Sequence, residues 1–113
     1  MDCLFCKIIA GSIPSKKVYE DDFVYAFYDI NPMSPVHVIV IPKEHIGSAN
    51  MIDETNSIYV ARVFEAIPKI AKKLGIAEDG YRVITNIGEN GGQSVKHLHF
   101  HILGGTKLND KLV

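Results

Sequence analysis

At 113 residues the chain is long enough for one domain built on a single core, without disulfide staples. Its 47% hydrophobic and 22% charged residues are ordinary for a globular protein, and a formal net charge of −1 offers no field to draw nucleic acid. No apolar run approaches the roughly 18 residues of a membrane span. Met1-Asp2-Cys3 lacks the leader and cleavage pattern of a signal peptide, so a cytoplasmic location with reduced cysteines is expected.

Residues 3–11 pattern as a short amphipathic helical turn, with Gly11 available as a left-handed cap. Val18-Tyr19 is extended, and Glu20-Asp21-Asp22 has turn composition. The aromatic run 23–30 predicts a strand, Asn31-Pro32-Met33-Ser34-Pro35 a turn, and Val36 to Ile41 the strongest strand of the chain, stopped by Pro42. The two strands on either side of that turn pair most simply as an antiparallel hairpin through a five-residue loop.

A helical pattern follows from about Asp53 to Leu74, with Ile58, Ala61, Val63, Ala66, Ile70 and Leu74 among its apolar positions. Asp53 or Thr55 is suited to cap its start, Gly75 follows its end, and Pro68 lies inside it. Residues 81–86 form another strand, 87–92 a glycine-rich loop, and residues 106–113 a short polar tail. Helix turn, strands, one long helix and more strands make an α+β fold with an antiparallel sheet in a single domain, residues 1–113.

Chemistry concentrates in Gly91-Gly92-Gln93-Ser94-Val95-Lys96-His97-Leu98-His99-Phe100-His101-Ile102-Leu103. Strict alternation predicts a half-buried strand, with His97, His99 and His101 on one face and Leu98, Phe100 and Ile102 on the other. Alternate side chains on a strand stand about 6.6 Å apart. A lone histidine on such a strand is usually a hydrogen-bonded structural residue, but three in a row each need a partner of their own. Two functional readings stand side by side. Imidazole is a common metal ligand, and a glycine-rich turn with Gln93 and Ser94 offers donors to a phosphate. A neutral imidazole is also a competent nucleophile near pH 7. Cys3-x2-Cys6 is by itself a weak signal, compatible with redox chemistry, metal binding or plain packing.

The run His97-Leu98-His99-Phe100-His101-Ile102-Leu103, preceded by Gly92-Gln93-Ser94, resembles the motif of the histidine triad (HIT) family. The resemblance extends through Phe27-Tyr28-Asp29-Ile30, residues 36–45 and Asn86, and Gly104-Gly105 after the triad is similar to the Hint-like, phosphoramidase branch. It implies a HIT-like fold with about five antiparallel strands, one long helix and a short N-terminal helix. It also implies hydrolysis of a purine nucleoside phosphoramidate or similar nucleotide conjugate through a covalent nucleotidyl-histidine. His99 would be the nucleophile, His101 would serve the phosphate and leaving group, and Ser94, Gln93, Gly92 and Asn86 would hold the phosphate side. Asp29 would bind the ribose hydroxyls, Ile30 would pack beside ribose and base, and His37 would face the triad. A structural zinc on Cys3, Cys6, His45 and His97, no organic cofactor, and a homodimer whose sheets run together are implied in the same way. Cleavage of dinucleoside polyphosphates, or nucleotide binding without turnover, are the competing functions.

Overall fold

The fold grows outward from the apolar run predicted as the strongest strand, in a computed structural model that describes residues 3–112; the Met1-Asp2 start and the last residue of the tail lie outside the described residues. A short helix, α1 (Leu4–Ile9), is followed by strands β1 (Lys17–Glu20), β2 (Val24–Tyr28) and β3 (Val36–Pro42). A single 3-10 turn at Ala49–Met51 leads to the long helix α2 (Ser57–Lys73), then to β4 (Arg82–Ile84) and β5 (Phe100–Gly104). All pairings are antiparallel, in the order β1-β2-β3-β5-β4. The centre of the sheet is therefore a pairing of β3 with β5, strands far apart in the chain.

Period two decides what each face carries. Val24, Ala26, Val38, Val40, Phe100 and Ile102 pack with Val63, Ala66, Ile67, Ile70 and Ala71 of α2. Those helix positions recur at intervals of three and four, so they form one stripe. The alternate residues Tyr25, Phe27, Ile39 and Ile41 face the other way and pack with Cys3, Phe5 and Ile8 at the start of the chain. Two apolar cores thus lie on opposite faces of one sheet.

Several expected boundaries move. The helical pattern begins at Ser57 instead of Asp53, because Asp53 Oδ1 accepts from the backbone N–H and hydroxyl of Thr55, forming a side-chain-closed turn ahead of the helix. Asn56 is the N-cap residue, but its Oδ1 accepts from Asp53 N–H and makes no bond into the helix, so neither Asp53 nor Thr55 is the cap. Ile58 is 44% exposed and Ala61 is also exposed, so these two are not core positions. The loop between β2 and β3 spans residues 29–35, longer than expected, because β2 ends at Tyr28, with Asp29 N–H making one last bond to the His37 carbonyl (3.0 Å). Strand β4 keeps only three residues of the predicted 81–86 run.

The triad segment also differs from a continuous strand. Only His101 of the three histidines lies within β5; His97 and His99 precede it. A backbone bond from Leu98 N–H to the Ile46 carbonyl (2.6 Å) and one from the Thr85 hydroxyl to the His99 carbonyl (2.8 Å) hold that approach in place of ladder pairing. Facing still alternates: Leu98, Phe100 and Ile102 belong to the α2-side core, while the histidine rings meet Phe5 or one another on the α1 side. The glycine stop at Gly104-Gly105 is sterically demanding. Gly105 has φ +85°, and a Cβ there would stand 3.0 Å from Pro35 Cβ.

Candidate active site

Four imidazoles and one carboxylate converge on the α1 face, and their hydrogen bonds assign most of the protons. His99 Nδ1 lies 2.7 Å from the His97 carbonyl oxygen, which can only accept, so Nδ1 carries the hydrogen and Nε2 keeps its lone pair. The backbone N–H of Met33 donates to His37 Nδ1 at 3.0 Å, so the His37 hydrogen sits on Nε2. That Nε2–H donates to His101 Nδ1 at 2.9 Å, with an Asp29 carboxylate oxygen at 3.4 Å. His101 Nδ1 is therefore an acceptor, and its own hydrogen is on Nε2. The result is a pair of neighbouring rings, 5.2 Å between centroids, one presenting a free nitrogen lone pair and the other an N–H.

Burial favours the neutral form of His37, His97 and His101. His37 is held below the ordinary imidazole range by desolvation, which the charge of Asp29 opposes. His101 is lowered by desolvation and then by His99 and His37, again against Asp29. His97, fully buried, is lowered by desolvation, opposed by its bond to the Pro42 carbonyl. Neutral rings are what the tautomer assignments require.

Asp29 stands at the end of β2, half-buried, and its Oδ1 accepts from Asn31 N–H. Ile30 beside it is 91% exposed, so a large apolar side chain faces solvent next to a carboxylate. A cavity of about 640 Å³ lined by Ser15, Lys16, Tyr28, Asp29 and Ile30 adjoins them. Asn86 lies half-buried just past β4, and Gly92 takes φ +76° in the loop before the triad, where Ser94 is exposed. Gln93 is committed to the loop itself. Its Nε2 donates to the Gly47 and Val95 carbonyls, and its Oε1 accepts from Gly88 N–H, so its side chain braces the turn and has no donor left for an anion.

Cys3, Cys6, His45 and His97 form a second constellation, their ligand atoms all within 4.8 Å of one another. His97 Nε2–H donates to the Pro42 carbonyl at 3.0 Å, which leaves Nδ1 as a lone pair aimed at the thiols. The nitrogen–sulfur separations are 3.3 Å and 3.6 Å from His97 Nδ1 to Cys3 and Cys6, and 3.4 Å from His45 Nδ1 to Cys6. With Zn–S near 2.3 Å and Zn–N near 2.05 Å, the edge of a tetrahedron is about 3.6 Å. The donor set fits zinc in both chemistry and spacing. The Cys6 thiol is pushed up to about 11 by burial and by its hydrogen bond and charge interaction with Cys3, a penalty on paired thiolates that a bound cation would reverse. The ligand atoms of Asp29, His37 and His101 also lie within 4.8 Å of one another, but His37 Nδ1 is taken by Met33 N–H. A metal on His37 Nε2 would need an imidazolate, so this trio is better suited to holding protons.

Four contributors escaped the sequence reading. Thr85 holds the His99 carbonyl, the Met33 amide sets the His37 tautomer, the Pro42 carbonyl sets that of His97, and Phe5 packs edge-on to His97 and His99. Two of these act through backbone atoms, which leave no mark on residue type.

The family model for the HIT domain matches residues 10–108. The chain is 44% identical over 111 residues to the purine nucleoside phosphoramidase of Escherichia coli K12, covering 98% of this chain and 93% of that protein. It is 47% identical over 104 residues to an uncharacterized HIT-like protein of Helicobacter pylori, covering 92% and 97%. Among solved structures, a HIT family hydrolase from Clostridium thermocellum superposes with TM-score 0.97 at 50% identity, covering 99% of this chain and 97% of that one. A histidine triad protein from Clostridium difficile gives 0.95 at 52% identity, covering 98% and 96%. The chain belongs to the HIT family, with an α+β fold and a five-stranded antiparallel open sheet.

Proposed function

We propose that the protein is a nucleotide hydrolase that cleaves the bond between the α-phosphorus and the leaving group of a purine nucleoside phosphoramidate or similar nucleotide conjugate. The observation that carries this reading is the proton arrangement at the two neighbouring rings: a lone pair on His99 Nε2 beside an N–H on His101 Nε2. His99 Nε2 attacks phosphorus, a P–N bond to the ring forms, and the bond to the leaving amine breaks. The His101 Nε2–H donates a hydrogen bond to the leaving nitrogen, which takes its proton from solvent as it departs, and the His37 Nε2–H, shared with Asp29, supports His101 Nδ1. The His97 carbonyl stabilises the positive charge that develops on the His99 ring. Water then attacks the same phosphorus and releases a proton to solvent, the P–N(His99) bond breaks, and a nucleoside monophosphate leaves. A hydrogen-bond donor aimed at charge that develops in the transition state is worth about 10²–10³-fold.

Asp29 is proposed to accept both ribose hydroxyls, with Ile30 against ribose and base. Asn86, Ser94 and the loop through Gly92 take the phosphate side, and Gln93 contributes by shaping that loop. Zinc on Cys3, Cys6, His45 and His97 is proposed as a structural metal that ties the start of the chain to the triad. The paired cysteine ligands favour a cytoplasmic setting, where thiols stay reduced. No helix among the described residues is long and apolar enough to cross a membrane. A homodimer is supported by the edge strand β4 and by Ile58 and Phe64 on α2, which are 44% and 51% exposed; sedimentation at twice the chain mass tests it.

The decisive experiment is mass spectrometry of protein quenched during turnover of adenosine phosphoramidate. AMP attached to His99 supports the reading, and full activity in His99→Asn refutes it. Comparing that substrate with a diadenosine polyphosphate separates this function from the dinucleotide alternative, and nucleotide binding without turnover would leave the protein a binding module.

A further inference from the structure

The short N-terminal helix reaches the triad through one side chain. Phe5 is 4% exposed and lies on α1 between Cys3 and Cys6. Its ring stands edge-to-face against His99 (centroids 5.1 Å apart, 80° between planes), His97 (5.8 Å, 77°) and Phe27 (5.6 Å, 65°). The favourable geometry for such pairs places the edge of one ring on the face of the other. Phe5 has no polar atom, so what it offers the triad is shape and an aromatic edge or face.

The hydrogen bond from His99 Nδ1 to the His97 carbonyl fixes one direction of the ring. It leaves the ring free to rock about that direction, and such rocking swings Nε2 across the site. Phe5 and His101 flank His99 with centroids 5.1 Å and 5.2 Å away, each ring at a steep angle to it, so the rocking motion is blocked by packing.

We propose that Phe5 is a positioning residue for His99. Its ring sets the plane of the His99 imidazole, so that the Nε2 lone pair stays aligned for attack and the Nδ1–H stays on the His97 carbonyl. The inference rests on His99 being the nucleophile, and it goes further by giving α1 a part in the chemistry through a residue that is neither a ligand nor a proton carrier. A misplaced reacting group can cost as much as about 10²-fold in rate, so a partial loss of alignment is expected to lower kcat roughly tenfold.

The test substitutes Phe5→Leu, with Phe5→Met as a second ring-free variant should the first not fold, and Phe5→Tyr as the ring-preserving comparison. Each is assayed for metal content, for kcat and KM with adenosine phosphoramidate, and for the ring nitrogens of ¹⁵N-labelled histidines at about pH 8, above the ordinary imidazole range. In the ring-free variant kcat should fall about tenfold, with KM within twofold of wild type and metal content unchanged. The His99 ring should lose its single Nδ1–H tautomer signature, and Phe5→Tyr should restore both rate and signature. An unchanged signature and kcat in a folded ring-free variant would overturn the proposal. So would a raised KM at unchanged kcat, which would make Phe5 a substrate contact. If instead His99→Asn keeps full activity, the nucleophile assignment fails while the ring spectra still report what Phe5 does to His99.

Discussion

Replacing His37 with Phe tests whether protons are arrayed as the hydrogen bonds require. His37 is 5% exposed, so Phe retains most of the ring volume while removing both nitrogens. Two bonds are lost: the 3.0 Å acceptance from Met33 N–H and the 2.9 Å donation to His101 Nδ1. Removing one partner of a buried hydrogen bond costs about 1–3 kcal/mol. The loss at His101 bears on reactivity, because its Nδ1 then has no donor and the Nε2–H tautomer is no longer enforced. At about 1.4 kcal/mol per factor of ten, kcat/KM for adenosine phosphoramidate should drop roughly 5- to 150-fold. His37→Gln should recover part of that loss, since its amide nitrogen can reach where Nε2 was. The assay is steady-state product release at pH 7.5, with metal content and the melting transition checked for each variant. A folded His37→Phe protein within twofold of wild type would refute the tautomer chain.

Zinc added to metal-stripped protein should raise the melting temperature. At free zinc about 1,000-fold above its dissociation constant the gain is about 4 kcal/mol, or roughly 15 °C for a domain of this size. A Cys3→Ser, Cys6→Ser double variant should show no such shift, and a full equivalent of zinc remaining on it would sink the ligand assignment. Acid should also weaken the fold. Because His37 and His101 titrate below the ordinary value of 6.5, the folded chain binds fewer protons than the unfolded one as the solution is acidified. Their contribution to stability is fully present above about pH 6.5 and is lost as the pH falls through their folded values. Melting curves from pH 8 to pH 5 should show this decline, less steeply in His37→Phe; a flat wild-type profile would count against it.

The faces of the sheet were legible because alternation is a property of side chains: Leu98, Phe100 and Ile102 sit on the α2 side as their spacing requires. Alternation does not reveal whether the backbone has ladder partners, so it places the start of the strand at His97, three residues before β5 begins at Phe100. The pairing of β3 with β5 was likewise beyond local patterning, since it joins residues some sixty positions apart. The α2 start was misplaced because Asp53 is equally suited to closing a turn or capping a helix, and residue type alone cannot rank the two. Cys3-x2-Cys6 alone leaves the role of the cysteines open; the resemblance joins them to His45 and His97, and the fold brings the four ligand atoms within 4.8 Å of one another. Gln93 had the right chemistry for an anion, but its donors are used by the Gly47 and Val95 carbonyls.

The division of the apolar residues into two cores has a consequence for how this chain can change. The group under α2 contains Val63, Ala66, Ile67 and Ile70, and the group under α1 contains Cys3, Phe5, Phe27 and Ile39. Substitutions in separate clusters tend to add, whereas neighbours in contact do not. The helix positions Val63, Ala66, Ile67 and Ile70 are therefore where an engineer can change melting temperature with least effect on the chemistry, whereas Leu98, Phe100 and Ile102 of the same core alternate with or follow the triad histidines. The α1 side has less slack, since Cys3 lies 3.3 Å from His97 Nδ1, Phe5 packs on His97 and His99, Phe27 packs on Phe5, and Ile39 pairs with His101. Surveys of tolerated variation should find the sheet asymmetric, permissive on one face and constrained on the other.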